Sequence, residues 1–238
     1  LAGHWIPRQL VENIDVDCQR RIERAADTSK PRRVLVPVGG AGAQRKFIIK
    51  FLRAVAPLVK QGKIQLLLNA GDHSHMKVAF ENILAETGLE YDTVSCTNGV
   101  NAFQKSLLDG NDPNKAVTLF AFDDYFPAVA TTDILCRIAD ILACKPSELA
   151  FYPLPKLMVR RVGDHEQYSA LRAAELGDGT LEAREIEDCL QYLDSFLQEP
   201  LLKQMNESIM KNNKMGIYDG CKNALRIALE RKEAMKKK

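Results

Sequence analysis

The 238-residue chain carries 33 Lys and Arg against 31 Asp and Glu, a net charge of +2, with 46% hydrophobic residues, 27% charged residues and a mean hydropathy of -0.21. A chain of this length can bury a sizeable core, its near-balanced charge excludes a surface built for nucleic acid, and no apolar run is long enough to span a membrane. Cysteines at 18, 96, 136, 144, 189 and 221 show neither a CxxC pair nor metal-ligand spacing, so they are expected as core residues of a reduced, cytoplasmic protein with no metal site.

Residues 1–32 predict a connector: Gly3, Trp5 and Pro7, then a charged amphipathic helix with Leu10, Val11, Ile14 and Ile22 on one side, ended by Pro31. The opening LAGHWIP, without Met or a signal-peptide pattern, reads as mid-protein sequence and predicts a fragment or a processed chain. Next comes the most informative stretch, residues 34–45, VLVPVGGAGAQR. A buried strand runs into Gly39, Gly40 and Gly42, and an amphipathic helix follows at once. Glycines there let the backbone approach a ligand without Cβ atoms, and the free N–H groups of the helix start favour an anion such as phosphate.

The helix over 45–61 places Ile48, Leu52, Val55 and Val59 at helical spacing. Strands are then predicted at 64–70, 93–96, 117–122, 139–144 and 156–162, with helices near 71–87, 98–108, 127–138, 147–152 and 164–176. From residue 181 onward only helices are expected: to about 198, after Pro200, and from 217 into a lysine tail. Continuous apolar strands alternating with helices predict an α/β, doubly wound, Rossmann-like parallel sheet of about six strands, with ligands at the carboxyl ends of the strands. The division expected is a connector at 1–32, a nucleotide-sugar-binding domain at 33–180 and carboxy-terminal helices at 181–238.

Two familiar phosphate loops are excluded. The glycine loop is GGAGAQ rather than GxGxxG, no acid ends the second strand, and no GK[ST] follows the glycines. A spacing of two at a helix start points His73 and His75 apart and no third ligand is evident, although His73 follows the second strand and suits a crevice wall. Asp123 and Asp124 fit a turn after a strand.

Between 139 and 180 two polar clusters follow strands: Lys145, Ser147 and Glu148, and then Asp164, His165, Glu166 and Gln167. The ordered set of glycine loop, Ala139–Asp140 before a strand, Glu148 at a helix start with Pro155 after it, and Asp164, His165, Gln167 and Ala170 after the next strand carries a resemblance. Over roughly 33–180 the chain resembles the carboxy-terminal, nucleotide-sugar-binding domain of GT-B glycosyltransferases, in particular the group of the lipid II GlcNAc transferase and monogalactosyldiacylglycerol synthase. It departs from them at Pro146–Ser147, where the family carries glycine or serine pairs.

The resemblance implies roles for particular residues. The backbone at Gly39, Gly40 and Gly42 holds the diphosphate, with Lys145 and Ser147 nearby, and Glu148 accepts hydrogen bonds from the ribose hydroxyls. Phe122 encloses the uracil. Gln167 and Asp164 contact the donor sugar, and His165 reaches the phosphates or the sugar. No catalytic residue is assigned. The ligand implied is a nucleotide sugar, a UDP-sugar, with no cofactor and no metal. An amino-terminal acceptor domain that supplies the catalytic base is absent, so the isolated chain is expected to be inactive. The basic tail adds a membrane surface or a lipid acceptor as a further partner of a cytoplasmic protein; nucleic acid is not expected. Two alternatives stay open: a UDP-sugar 2-epimerase drawing on Asp164, His165 and Glu166, and a non-catalytic nucleotide-binding or interaction module.

Overall fold

The computed structural model describes residues 2–38, 44–198 and 200–236. Six strands form within them: β1 Arg32–Pro37, β2 Ile64–Gly71, β3 Tyr91–Val94, β4 Val117–Ala121, β5 Ile141–Cys144 and β6 Lys156–Met158. All pair in parallel, in the order β3-β4-β2-β1-β5-β6. The helices are α1 Arg8–Val11, α2 Ile14–Ala26, α3 Arg45–Lys60, α4 Ser74–Thr87, α5 Thr97–Leu108, α6 Tyr125–Cys136, α7 Pro146–Leu149, α8 Gln167–Leu176, α9 Ile186–Leu197, α10 Leu201–Lys214 and α11 Gly220–Lys236.

Successive strand residues point to opposite faces, and here both faces are apolar. Val34, Val36, Leu66, Leu68 and Leu119 meet α3, α4 and α9 through Phe51, Leu52, Val55, Phe80, Ile83, Leu193 and Phe196. Leu35, Leu67, Phe120 and Leu142 meet α5, α6 and α8 through Val100, Leu107, Leu135, Ala170 and Ala173. The sheet is therefore covered on both sides, the doubly wound α/β architecture that its alternating apolar runs predict. Burial of each large apolar side chain contributes roughly 1.5–3 kcal/mol.

The connectivity fixes where a ligand can sit. From β1 the chain builds outward through β2 to β3 and β4, and α6 then carries it back to β5 on the other side of β1. Connections leave β1 and β5 in opposite directions, and the gap between them opens a crevice at their carboxyl ends.

Polar groups buried at the amino ends of the strands find partners. Asp140 accepts the Arg33 backbone N–H at 2.8 Å and lies 3.3 Å from Arg24 Nε. Arg21 of α2 donates to the carbonyls of Ala139 and Cys136, each at 2.8 Å, and so ties the predicted connector to the α6–β5 corner. Lys156 and Asp178, both with no side-chain exposure, form an ion pair at 2.8 Å, and Tyr218 Oη donates to Asp178 Oδ2 at 2.9 Å. Ile14 and Cys18 of α2 share a third apolar cluster with Ile209 of α10 and Tyr218.

Several boundaries differ from those read off the sequence. β3 runs over Tyr91–Val94 rather than 93–96, because its pairing with β4 sets Tyr91 opposite Val117; Cys96 instead caps α5, its Sγ accepting from Gly99 N–H at 3.4 Å. β6 ends at Met158 rather than 162, because beyond Val159 the chain turns out with Arg160 and Arg161. The stretch after 180 does not begin as helix. Residues near Gly179 and Ala183 make parallel bridges to Lys156 and Val159, with Thr180 Oγ1 accepting from Met158 N–H at 3.0 Å. α9 starts only at Ile186, set by a capping box between Glu185 and Asp188. No helix of the described residues is long and apolar enough to cross a membrane.

Candidate functional site

The crevice is a cleft of about 320 Å³ whose walls come from the ends of β1 (Pro37, Val38) and β2 (Asn69, Gly71, His73), from α6 (Thr132, Asp133) and from the α7 region (Glu148, Tyr152). Its floor is shaped by one corner. At Gly71 the backbone takes φ +60°, the left-handed region that glycine tolerates, where β2 slips register against β4. Asn69 Oδ1 accepts the Gly71 N–H at 3.0 Å while its amide donates to Thr132 Oγ1 at 2.9 Å, pinning β2 to α6 across the cleft.

Glu148 stands where β5 gives way to α7, the carboxylate that the sequence predicts there. Its Oε1 is buried and makes no hydrogen bond among the described residues; Lys145 Nζ lies 3.5 Å away in an ion-pair contact. Burial raises the Glu148 carboxyl above its usual range, and the opposing pull of Lys145 does not cancel the shift. Beneath it, a small cavity of about 20 Å³ is lined by Glu148, Lys145 and Gln44, whose Nε2 is likewise buried without a hydrogen bond among the described residues. An unmet acceptor and an unmet donor thus flank one small space.

Lys145 and Ser147 are brought to the same place, but they are already engaged. The Lys145 ammonium donates to Ser147 Oγ at 3.0 Å and to Glu166 Oε1 at 3.1 Å, and Ser147 donates to the same Glu166 oxygen at 2.7 Å. Val162 N–H donates to the other oxygen at 2.9 Å. Burial works to raise the Glu166 carboxyl, yet those hydrogen bonds outweigh it and hold it below the usual range. For Lys145 burial opposes the charge, but Glu166 and Glu148 together keep its pKa above normal.

The second predicted cluster is not assembled into the cleft. Asp164 is exposed and paired with Arg161 at 3.0 Å, and His165 and Gln167 are also exposed. Only Glu166 of that run turns inward. Phe122 is buried in the core cluster that contains Phe120 and Ala128, rather than lining the cleft. Gly39, Gly40 and Gly42 lie outside the described residues; the segments that bracket them, Val38 and Gln44–Arg45, reach the small cavity. His73 lines the cleft as its place after β2 suggests.

Sequence reasoning missed Asp133 and Tyr152. Tyr152 Oη donates to Asp133 Oδ1 at 2.7 Å, and both face the cleft. Burial raises the Asp133 carboxyl despite that hydrogen bond, and burial together with the Asp133 charge raises the Tyr152 phenol. The signal was present: Asp133 is the sole charged side chain of α6. Two carboxyl groups with raised pKa, a phenol and an imidazole can accept hydrogen bonds from hydroxyls and exchange protons. Among the described residues no group of three or more His, Cys, Asp or Glu side chains is placed to hold a metal.

Solved structures resemble the chain, two of them as follows. The C-terminal CMP-Kdo binding domain of WaaA from Acinetobacter baumannii is 12% identical with a TM-score of 0.45, over 82% of this chain and 97% of that one. The glycosyltransferase VinC in complex with dTDP is 17% identical with a TM-score of 0.47, over 87% of this chain and 44% of its own, so the chain spans less than half of VinC. No curated protein matches. A family model matches residues 1–229, and the chain belongs to that family, DUF6938, described as a domain of unknown function.

Proposed function

We propose that the cleft between β1 and β5 is the donor site of a GT-B-like glycosyltransferase domain and takes a nucleotide sugar, a UDP-sugar in the first instance. The observation that carries this reading is Glu148: a carboxylate oxygen buried at the switch point of a doubly wound sheet, with no hydrogen bond among the described residues. A pair of ribose hydroxyls supplies the two donors that such an oxygen lacks. The ordered sequence resemblance assigns the same residue the same role.

In this reading Lys145 does not meet the leaving diphosphate directly. Bound to Glu166 and Ser147, it holds Glu148 in place and keeps its charge tolerable. The diphosphate lies at the start of α3, where the first N–H groups of a 16-residue helix stabilise negative charge as it develops on the leaving group. Activation of the acceptor hydroxyl is assigned to a second domain, and transfer activity is not expected from these residues by themselves.

Calorimetric titration with UDP, and with GDP and NAD as controls, tests the reading. UDP is expected to bind selectively, and Glu148→Ala to weaken it by roughly 1–3 kcal/mol, the cost of unpairing buried hydroxyls. Binding should also decline in acid as Glu148 protonates through its raised pKa. Failure of every nucleotide to bind would overturn it.

A further inference from the structure

Beside the cleft, on the far side of the α3 start, lies an open groove of about 1080 Å³ that the donor reading does not use. One wall is α3, with Arg45, Lys46, Lys50 and Arg53; the other is the turn after β6, with Arg160 and Arg161. In a chain whose net charge is only +2, six cations face one groove that, among the described residues, Glu185 alone lines with an acid, and the Glu185 carboxylate is occupied in the α9 capping box.

Two of the six cations are neutralised. Arg53 holds Glu86 through two hydrogen bonds of 2.6 and 2.9 Å, and Arg161 pairs with Glu182 and Asp164, each at 3.0 Å. Arg45, Lys46, Lys50 and Arg160 make no ion pair among the described residues, and all four are exposed. Their placement is unfavourable for an empty helix. Arg45 and Lys46 occupy the first turn of α3, which holds no acid, so the positive end of the helix dipole is met by two more positive charges. The diphosphate of the donor reading would meet that repulsion at the helix start, and it leaves Lys50 and Arg160 facing each other across the groove with no anion between them. Phe47, Ile49, Val162 and Ile186 give the groove an apolar lining beside its charges.

We propose that this groove is a second binding site, distinct from the donor cleft, for a molecule bearing two or more closely spaced phosphate groups. Four cations with no ion pair among the described residues, on facing walls, exceed what one phosphate can use, and guanidinium groups from both walls favour bidentate contact with phosphate oxygens. The groove meets the small cavity at Gln44 and Arg45, so a ligand seated in it lies next to the donor cleft. The proposal stands on the charges of the groove and does not require that the cleft bind a nucleotide.

Tripolyphosphate is the probe for the soluble form of this chemistry, and phosphatidylcholine vesicles containing cardiolipin, whose headgroup carries two phosphates, are the probe for lipid headgroups. Tripolyphosphate is expected to bind at low ionic strength and to weaken with added salt. A Lys50→Glu/Arg160→Glu double variant should weaken it at least tenfold and leave UDP affinity within about twofold, and Glu148→Ala should do the reverse. Lys50→Arg should retain binding, and an unchanged thermal melt verifies that the double variant folds. Vesicle association lost in the same double variant would assign the phosphates to headgroups; tripolyphosphate binding without it assigns them to a soluble molecule. Tripolyphosphate binding indifferent to the double variant would overturn the proposal. So would an equal loss of UDP, because the groove would then be the phosphate end of the donor cleft. Tripolyphosphate binding that behaves as expected while UDP does not bind would leave the groove standing and remove the donor reading.

Discussion

The two ends of the sheet pair their buried charge to different degrees. At the amino ends, Asp140 takes a backbone N–H and a guanidinium, Arg21 ties two carbonyls, and Asp178 holds Lys156 and Tyr218. At the carboxyl ends, Glu148 Oε1 is buried with Lys145 3.5 Å away and no hydrogen bond among the described residues, and Asp133 has one donor that does not cancel its burial. Asp178 Oδ1 also lacks a hydrogen bond among the described residues, but its ion-pair partner Lys156 is 2.8 Å away, whereas the ammonium nearest Glu148 is 3.5 Å away and shared with Glu166, so the less closely paired carboxylates gather where a ligand would be sought.

The largest effect expected from breaking this contrast is at the Lys156–Asp178 pair. Asp178→Ala leaves an ammonium in a site with no exposure and should cost about 3–5 kcal/mol in urea unfolding. Replacing both partners by apolar residues should cost much less, and an equal cost would show that the pair is not the source. Asp140→Ala strands the Arg33 N–H and should cost about 1–3 kcal/mol on the same measurement.

Smaller effects are expected at the carboxyl end, and there the signs separate two neighbouring glutamates. Glu166 is held below its usual pKa, so its stabilisation is present above the unfolded value and is lost as pH falls through the folded one. Glu166→Gln should therefore destabilise by about 0.5–1.5 kcal/mol at neutral pH, with the gap closing in acid. Glu148 has its pKa raised, so its ionised form costs stability once the pH exceeds the raised value, and the cost vanishes below the unfolded value. Glu148→Gln should raise the melting temperature at neutral pH, by less than Glu166→Gln lowers it, and the gain should disappear in acid. A Glu148→Gln variant that is destabilised at neutral pH would place Glu148 with the structural charges and end the contrast.

Much of the architecture was legible in the chain. Runs such as VLVPV and IQLLLNA can be buried on both faces only in a parallel sheet, and α3 carries Ile48, Leu52, Val55 and Val59 at helical spacing. Glu148 was legible too, because a carboxylate one turn into a helix after a strand occupies a position fixed by local geometry. The second cluster was not. Asp164, His165, Glu166 and Gln167 are equivalent in sequence, and which one turns inward depends on Lys145 and Ser147, about 20 residues earlier, meeting Glu166. Phe122 lies just past β4, its N–H donating to the Gly71 carbonyl at 2.9 Å, and its ring joins the apolar cluster of Phe120 and Ala128, a placement that strand position alone does not specify.

The sequence by itself determined the strands, the helices and the side of the sheet on which a ligand would be sought, because periodicity and glycine placement are local properties. Only the tertiary structure decided that Asp133 and Tyr152 share the cleft with Glu148, and that Arg160 faces Arg45, Lys46 and Lys50 across a groove. Those partners come from segments far apart in the chain. What brings them together is the strand order around β1, which depends on long-range packing of both apolar faces and is not written in any one segment.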